Sequence, residues 1–220
     1  MDAAGSVLIA QRPAGKHLAG GWEFPGGKLE PAEERLAGLA RELREELGIT
    51  LIGIPRPLIR VRHAYTSREV LLDIWVVKGY GGEPRGLDGQ ALRWCSQEEL
   101  EAAELLPADR PIVAALRLPE RLTEVASSDY TVADIGSFGS RPGAVATNNV
   151  GLHGVFCSAV NEAVATAGAG ADFLAMRHAL GPDELADLCR LVPVPVFARG
   201  IELEEAWASG ASGVNEIIIG

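Results

Sequence analysis

Residues 20–49 read GGWEFPGGKLEPAEERLAGLARELREELGI, and two patterns are superimposed in them. Leu36, Leu39, Ala40, Leu43 and Leu47 recur at helical spacing from about Pro31, which suits a first-turn position, and Gly48 stops the pattern. On that helix Glu42, Glu45 and Glu46 stand at i, i+3 and i+4, within an arc of ~100° on the side away from the leucines. Like charges at this spacing destabilise a helix by ~0.2–0.5 kcal/mol per pair. One explanation is a solvated acidic face with Arg41 and Arg44 as local partners. The other is a waiting cation: Mg2+ takes oxygen ligands and commonly bridges carboxylates to substrate phosphates.

Upstream of the helix, residues 6–11 read as a strand and the Pro/Gly-rich stretch 13–27 as a long loop of the kind that is usually functional. Downstream, 58–65 and 70–80 read as a hairpin turning around 66–69, and 91–95 as a short strand. Ser96 with Glu99 forms a capping-box signature for a helix to about residue 105, and a further helix starts at Pro111. This first unit, 1–121, is followed by residues 122–150, rich in Gly, Ser and Asn, which are expected to be a linker. From 151 to 220 short apolar strands (154–157, 172–176, 194–198, 213–219) alternate with helical stretches, the pattern of repeated βα units and a parallel sheet. The class is α/β throughout.

With 220 residues, 47% of them hydrophobic, the chain can bury a core. A formal charge of −10 leaves no broad basic surface, so polymeric nucleic acid is not expected as a partner, while a free nucleotide held through a metal is compatible. Cys95, Cys157 and Cys189 are odd in number and lack zinc-ligand spacing, which fits a reducing cytoplasm. Apolar runs are strand-length and Met1 is followed by Asp2, so neither a signal nor a membrane segment is expected.

The helix with its preceding loop resembles the signature of the Nudix hydrolases. Gly27, Glu33, Arg41, Glu42, Leu43, Glu45, Glu46, Gly48 and Ile49 occupy its fixed positions. WEFPGGK and the earlier LIAQRPAGKHLAGG make the stretch similar to the MutT-type branch, whose members hydrolyse nucleoside triphosphates to monophosphate and pyrophosphate and favour oxidised guanine nucleotides. The resemblance covers residues 3 to about 118 and implies an α/β/α sandwich with a mixed sheet. It implies that Glu42, Glu45 and Glu46, with the Gly26 carbonyl, bind Mg2+, with Mn2+ as the alternative, and that Glu42 also activates the attacking water. Gly27, Glu33, Arg41 and Gly48 then have structural roles, Glu33 and Arg41 tying loop to helix. Arg12, His17 and Lys28 match phosphate or nucleotide contacts, and Asp88 the position of an accessory acid near metal or water. Tyr65 and Arg68 lie near the expected base pocket.

Asp109 departs from the MutT pattern, which has an Asn there that hydrogen-bonds the purine. Ionised Asp only accepts, whereas an Asp kept neutral by burial also donates; a helix-capping role is the local alternative. Relatives also have a strand before DAAGSVLIAQRP, and a sheet without it is expected to have an open edge through which oligomers form. The C-terminal stretch, with GADFL and PVFARGI, resembles the last part of thiamine phosphate synthases. Arg199-Gly200 and Asn215-Glu216 stand where that family has a glycine pair and a small-residue phosphate loop, so an inactive, partial barrel-like segment with about four βα units is expected. The overall expectation is an Mg2+-dependent 8-oxo-dGTP pyrophosphohydrolase. The alternatives are a Nudix hydrolase of another pyrophosphate-linked substrate and a truncated, non-catalytic protein.

Overall fold

The computed structural model describes residues 1–16, 18–66, 68–138 and 151–218. By its contacts the chain divides into two compact units, Met1–Arg56 with Trp75–Val113 and Pro57–Ile74 with Ala114–Gly220. The boundary therefore does not fall at one linker: the hairpin segment 57–74 folds with the C-terminal residues.

In the first unit β1 (Val7–Gln11) is central, antiparallel to β2 (Trp22–Glu23) on one side and to β7 (Leu92–Cys95) on the other. Helix α1 (Arg35–Leu47) lays its leucine stripe on this layer: Leu43 and Leu47 are buried with Leu8 and Ile49, and Leu39, Leu51, Val77, Tyr80 and Leu92 pack around them. The short pair β3 (Thr50–Leu51) and β6 (Tyr80–Gly81) is antiparallel. Helix α2 (Gln97–Ala102) carries the expected capping box between Ser96 and Glu99, ends three residues earlier than expected, and is followed by a 3-10 turn at Pro107–Asp109 and by α3 (Arg110–Arg117).

Helix α1 begins at Arg35 rather than near Pro31, because Ala32 has φ 62 and breaks any helical run through it. Its other end is as expected: Gly48 closes it at φ 70 and returns its N–H to the Arg44 carbonyl at 3.0 Å.

The second unit contains the hairpin β4 (Arg56–Tyr65) and β5 (Arg68–Val76) over its residues 57–74. Strand β5 stops at Val76, and Tyr80, expected on it, pairs with Leu51 instead. The remainder is a six-stranded sheet, β8 (Arg121–Leu122), β9 (Tyr130–Asp134), β10 (Leu152–Cys157), β11 (Phe173–Met176), β12 (Val196–Ala198) and β13 (Gly213–Asn215). The strands lie in the order β8-β13-β12-β11-β10-β9, every pair parallel. Short helix α4 (Ile135–Phe138) follows β9, and α5 (Val160–Gly168), α6 (Pro182–Leu191) and α7 (Leu203–Ser209) alternate with the later strands.

Two apolar layers form, one between the sheet and the helices around Leu174, Met176, Leu185, Leu188 and Ala206, the other around Tyr130, Phe156, Phe173 and Phe197. The expected linker is corrected in part: β9 and α4 lie within it, and residues 139–150 are outside the described residues. The four strands expected over residues 151–220 are present as β10 to β13, and β9 and β8, which precede that stretch, extend the sheet to six by pairing with β10 and with β13. No helix among the described residues is long and apolar enough to cross a membrane.

Candidate active site

The loop before α1 and the acidic face of α1 are fitted to each other through missing side chains. A Cβ on Gly27 would lie 2.0 Å from the Glu42 carboxyl carbon, so the Glu42 carboxylate lies against the loop backbone in space that a side chain at residue 27 would take. Gly26 has φ 151, open to glycine, and its N–H points to the Glu46 Oε2 at 3.4 Å. Gly38 in the first half of the helix is equally constrained: a Cβ there would meet Leu29 at 2.3 Å and the Glu33 carboxylate at 2.9 Å.

Arg41 ties this arrangement together. Its Nε and Nη2 donate to the two oxygens of Glu33 at 2.8 Å each, its Nη2 also reaches the Lys28 carbonyl at 3.0 Å, and its Nη1 reaches Glu42 at 2.9 Å and Glu45 at 3.2 Å. Glu33 accepts the Glu30 N–H as well, and these bonds, the Arg41 fork first, hold its pKa down at about 2. The loop-to-helix tie expected of Glu33 and Arg41 is thus present as bonds, and Arg41 further restrains two of the three acids expected to bind metal.

Glu46 is the acid with least compensation. Burial raises its carboxyl pKa above the ordinary range, with Glu42 and Glu23 adding to the rise, against the Gly26 N–H and Lys16. The loop bearing Asp88 docks at the end of the same helix. Leu87 N–H donates to the Glu46 carbonyl at 3.0 Å, Gln90 Nε2 to the same carbonyl at 3.1 Å, and Arg85 N–H to the Leu47 carbonyl at 3.0 Å. Asp88 itself is exposed, its N–H bonded to the Gln90 Oε1 at 2.8 Å.

A second cluster forms around Asp109. Strand β2 pins the segment that precedes it: Trp22 N–H donates to Glu104 O at 3.0 Å and Leu106 N–H to Trp22 O at 2.9 Å. This carries Asp109 into the unit at 7% exposure, beside Glu23, which is ion-paired to Arg12. Burial first, then the Glu23 charge, push the Asp109 carboxyl up to about 7, against a hydrogen bond from the Phe24 backbone and the charge of Arg12. Asp109 Oδ2 and Arg12 Nε are both buried without a hydrogen-bond partner. Two buried polar atoms without partners in one cluster are suited to a polar ligand edge.

Of the residues expected from the sequence, Glu33, Arg41, Glu42, Glu45 and Glu46 come together with Gly26 and Gly27; Arg12 and Asp109 form the second cluster; Lys28 contributes its carbonyl to Arg41 while its residue is exposed. His17 lies outside the described residues. The sequence pattern assigned no role to Glu23, Lys16 or Gln90. Glu23 stands in the quoted WEFPGGK, and its position beside an apolar loop was the available signal.

Among the described residues no three His, Cys, Asp or Glu side chains converge into a ready metal cage. The donor set nevertheless fits a hard divalent cation. It is all oxygen, the charged form of one acid in it is disfavoured by burial and then by its neighbours' charge, and Mg2+ characteristically takes one or two carboxylates and completes its shell with substrate phosphate and water.

A family model described as NUDIX domain matches residues 1–115. The CTP pyrophosphohydrolase of Escherichia coli K12 is 42% identical over 111 residues, covering 50% of this chain and 82% of that protein. The 8-oxo-dGTP diphosphatase of the same strain is 36% identical over 114 residues, covering 50% of this chain and 85% of that protein. The crystal structure of a MutT NUDIX hydrolase from Burkholderia pseudomallei is 30% identical, with a TM-score of 0.45 over 51% of this chain and 86% of that one.

Proposed function

From its membership of the NUDIX family of hydrolases, to which the match over residues 1–115 assigns the chain, we propose that it is an Mg2+-dependent nucleoside triphosphate pyrophosphohydrolase converting 8-oxo-dGTP to 8-oxo-dGMP and pyrophosphate. Its biological role is then sanitation of the nucleotide pool. The relatives act on phosphoric anhydrides, as their names record for an 8-oxo-dGTP diphosphatase and a CTP pyrophosphohydrolase.

In this reading Glu42, Glu45, Glu46 and the Gly26 carbonyl would hold the cation, which would supply charge neutralisation on the phosphates and a lowered pKa for the attacking water. Glu42, seated against Gly27, orients the attacking water and accepts its proton. Substitution at the β-phosphorus forms the new P–O bond and releases the nucleoside monophosphate oxygen. Arg41 keeps the Glu42 carboxylate in place, and Arg12 and Lys28 meet phosphate or nucleotide. His17 adds a nucleotide contact and Asp88 an accessory acid.

The observation that carries the substrate assignment is the Asp109 carboxyl, buried, with its pKa up to about 7 and Oδ2 unpaired. A neutral carboxyl presents an acceptor beside a donor, the same pair as the Asn amide it replaces. Guanine shows two acceptors, N7 and O6, on its major-groove edge. Oxidation at C8 places a proton on N7, so on this edge 8-oxoguanine offers a donor beside an acceptor and complements neutral Asp109, whereas the same edge of guanine does not.

The same carboxyl also complements cytosine, whose N4–H2 donor neighbours the N3 acceptor. This supports a second reading, a cytosine nucleoside triphosphate as substrate. Pyrophosphate release with Mg2+ and matched 8-oxo-dGTP, dGTP and CTP, with Glu42→Gln as the blank, decides between them. Faster turnover of 8-oxo-dGTP than of both others is the expected result. Preference for CTP selects the second reading, and equal, Glu42-dependent turnover of all three removes Asp109 as the selecting group.

A further inference from the structure

The hairpin β4–β5 lies inside the family match, yet its residues 57–74 share a compact unit with the C-terminal residues. Successive strand residues face opposite sides, and Leu58 and Ile59 are 2% and 4% exposed, so β4 is covered on both faces. A two-stranded hairpin is at best marginally stable alone in water. Its order must come from what it packs against.

The seat is the C-terminal end of α7. The Arg60 N–H donates to the Gly210 carbonyl at 3.3 Å. Gly210 closes α7 at φ 95, and a Cβ there would stand 3.0 Å from Arg60 Cβ, with Arg60 Cδ and Nη1 at 3.5 Å, so the arginine stem lies across the bare glycine. Arg60 is held in that position by Asp73 of the partner strand, 3.6 Å away, with only 11% of its side chain exposed. Its charge also acts on the Cys189 thiol of α6, opposing the much larger effect of burial.

We propose that the C-terminal unit is the folding platform of this hairpin: α7 and its Gly210 cap hold β4–β5 in order, so part of the family domain folds only with residues some 150 positions downstream. The C-terminal half then has a function that needs no catalytic group, which is to complete the hydrolase.

Hydrogen exchange on the full chain tests this, comparing wild type with Gly210→Val and Gly200→Val. Gly200 also has a positive φ, 71, in the same unit, but its nearest neighbour is Ala179 rather than the hairpin, so it reports on strain placed away from the hairpin. The expected result is at least tenfold faster exchange across residues 57–74 in Gly210→Val, unchanged protection of α1, and near wild-type hairpin protection in Gly200→Val. The proposal is overturned by hairpin exchange that stays at the wild-type rate while α7 and β13 loosen, or that rises equally in both variants. If Gly210→Val does not fold, Arg60→Ala decides, because it removes the stem without straining the cap. Faster exchange confined to residues 57–74 supports the platform, and wild-type protection there refutes it.

Discussion

The pKa of Asp109 makes its replacement by Asn a test of both stability and selectivity. Asp109 is an acid whose pKa is higher folded than unfolded, about 7 against 3.8. The folded protein therefore binds more protons between these values, and the cost of ionising the buried carboxyl grows as pH rises through that window and is complete above it. Each pH step crossed inside the window adds ~1.4 kcal/mol, so the part of the cost incurred between pH 5 and pH 8 is about 2–3 kcal/mol. The Asn side chain has the same shape and does not titrate. Any fixed cost of the amide is common to both pH values, so the expected outcome is a stability difference between Asp109→Asn and wild type that moves by about 2–3 kcal/mol in favour of the variant from pH 5 to pH 8. Urea unfolding at the two pH values measures it. In the same proteins the preference for 8-oxo-dGTP over dGTP is expected to fall above pH 7 in wild type, as the donor is lost, and to be flat in the variant. Parallel stability curves for the two proteins would refute the account of Asp109 as a carboxyl kept neutral by burial.

Three further outcomes follow from the first cluster. Glu42→Gln is expected to lower kcat by ~10²-fold or more without loss of fold, since it removes the water-activating base and leaves the leucine stripe intact; near wild-type turnover with an unchanged melting curve would exclude Glu42 from the chemistry. Gly27→Ala places a methyl group where the Glu42 carboxylate now sits, 2.0 Å away, and is expected to reduce kcat with little change in far-UV circular dichroism; wild-type kcat would show that Glu42 works from another position. Chelation by EDTA is expected to abolish turnover, with restoration by Mg2+ in excess, and Mg2+ with a product nucleotide is expected to raise the melting temperature by mass action; EDTA-insensitive hydrolysis would overturn the metal assignment.

The legible part of the site was the part written in local spacing. Glu42, Glu45 and Glu46 fall on one face because 3.6 residues make a turn, and Gly48 ends the helix because its left-handed φ suits glycine. The start of α1 was not legible in the same way. Glu33 looks like a first-turn acid, but its carboxylate is committed to Arg41 and to the Glu30 N–H, and Ala32 at φ 62 turns the chain before the helix begins. Long-range pairing was likewise hidden. The two-residue strand β8 carries no periodicity of its own and exists because Val214 and Asn215 lie beside it. Asp109 could be placed by resemblance, but its burial depends on the backbone bonds between β2 and residues 104–106, which nothing in LPADRPI announces.

The end of the parallel sheet shows why resemblance to a synthase need not carry its chemistry. Ligands of parallel α/β sheets bind beyond the carboxyl ends of the strands, where free backbone N–H groups meet phosphate. After β13 those groups are already used: Glu216 N–H donates to the Leu122 carbonyl at 2.8 Å and Ile217 N–H to the Asn215 Oδ1 at 3.1 Å. Asn215, 2% exposed, returns its Nδ2 to the Met176 carbonyl at 2.9 Å, and Arg199 donates to the Asn215 and Ile217 carbonyls at 3.1 and 2.7 Å. Glu216 and Asp134 add carboxylates at the same end, paired with Arg121 and Arg177. An incoming phosphate would have to displace these bonds and approach two acids, so the substitutions that consume this end of the sheet also stitch β11, β12 and β13 together. That favours rigidity over ligand binding, which is what a unit needs if its work is to hold a hairpin.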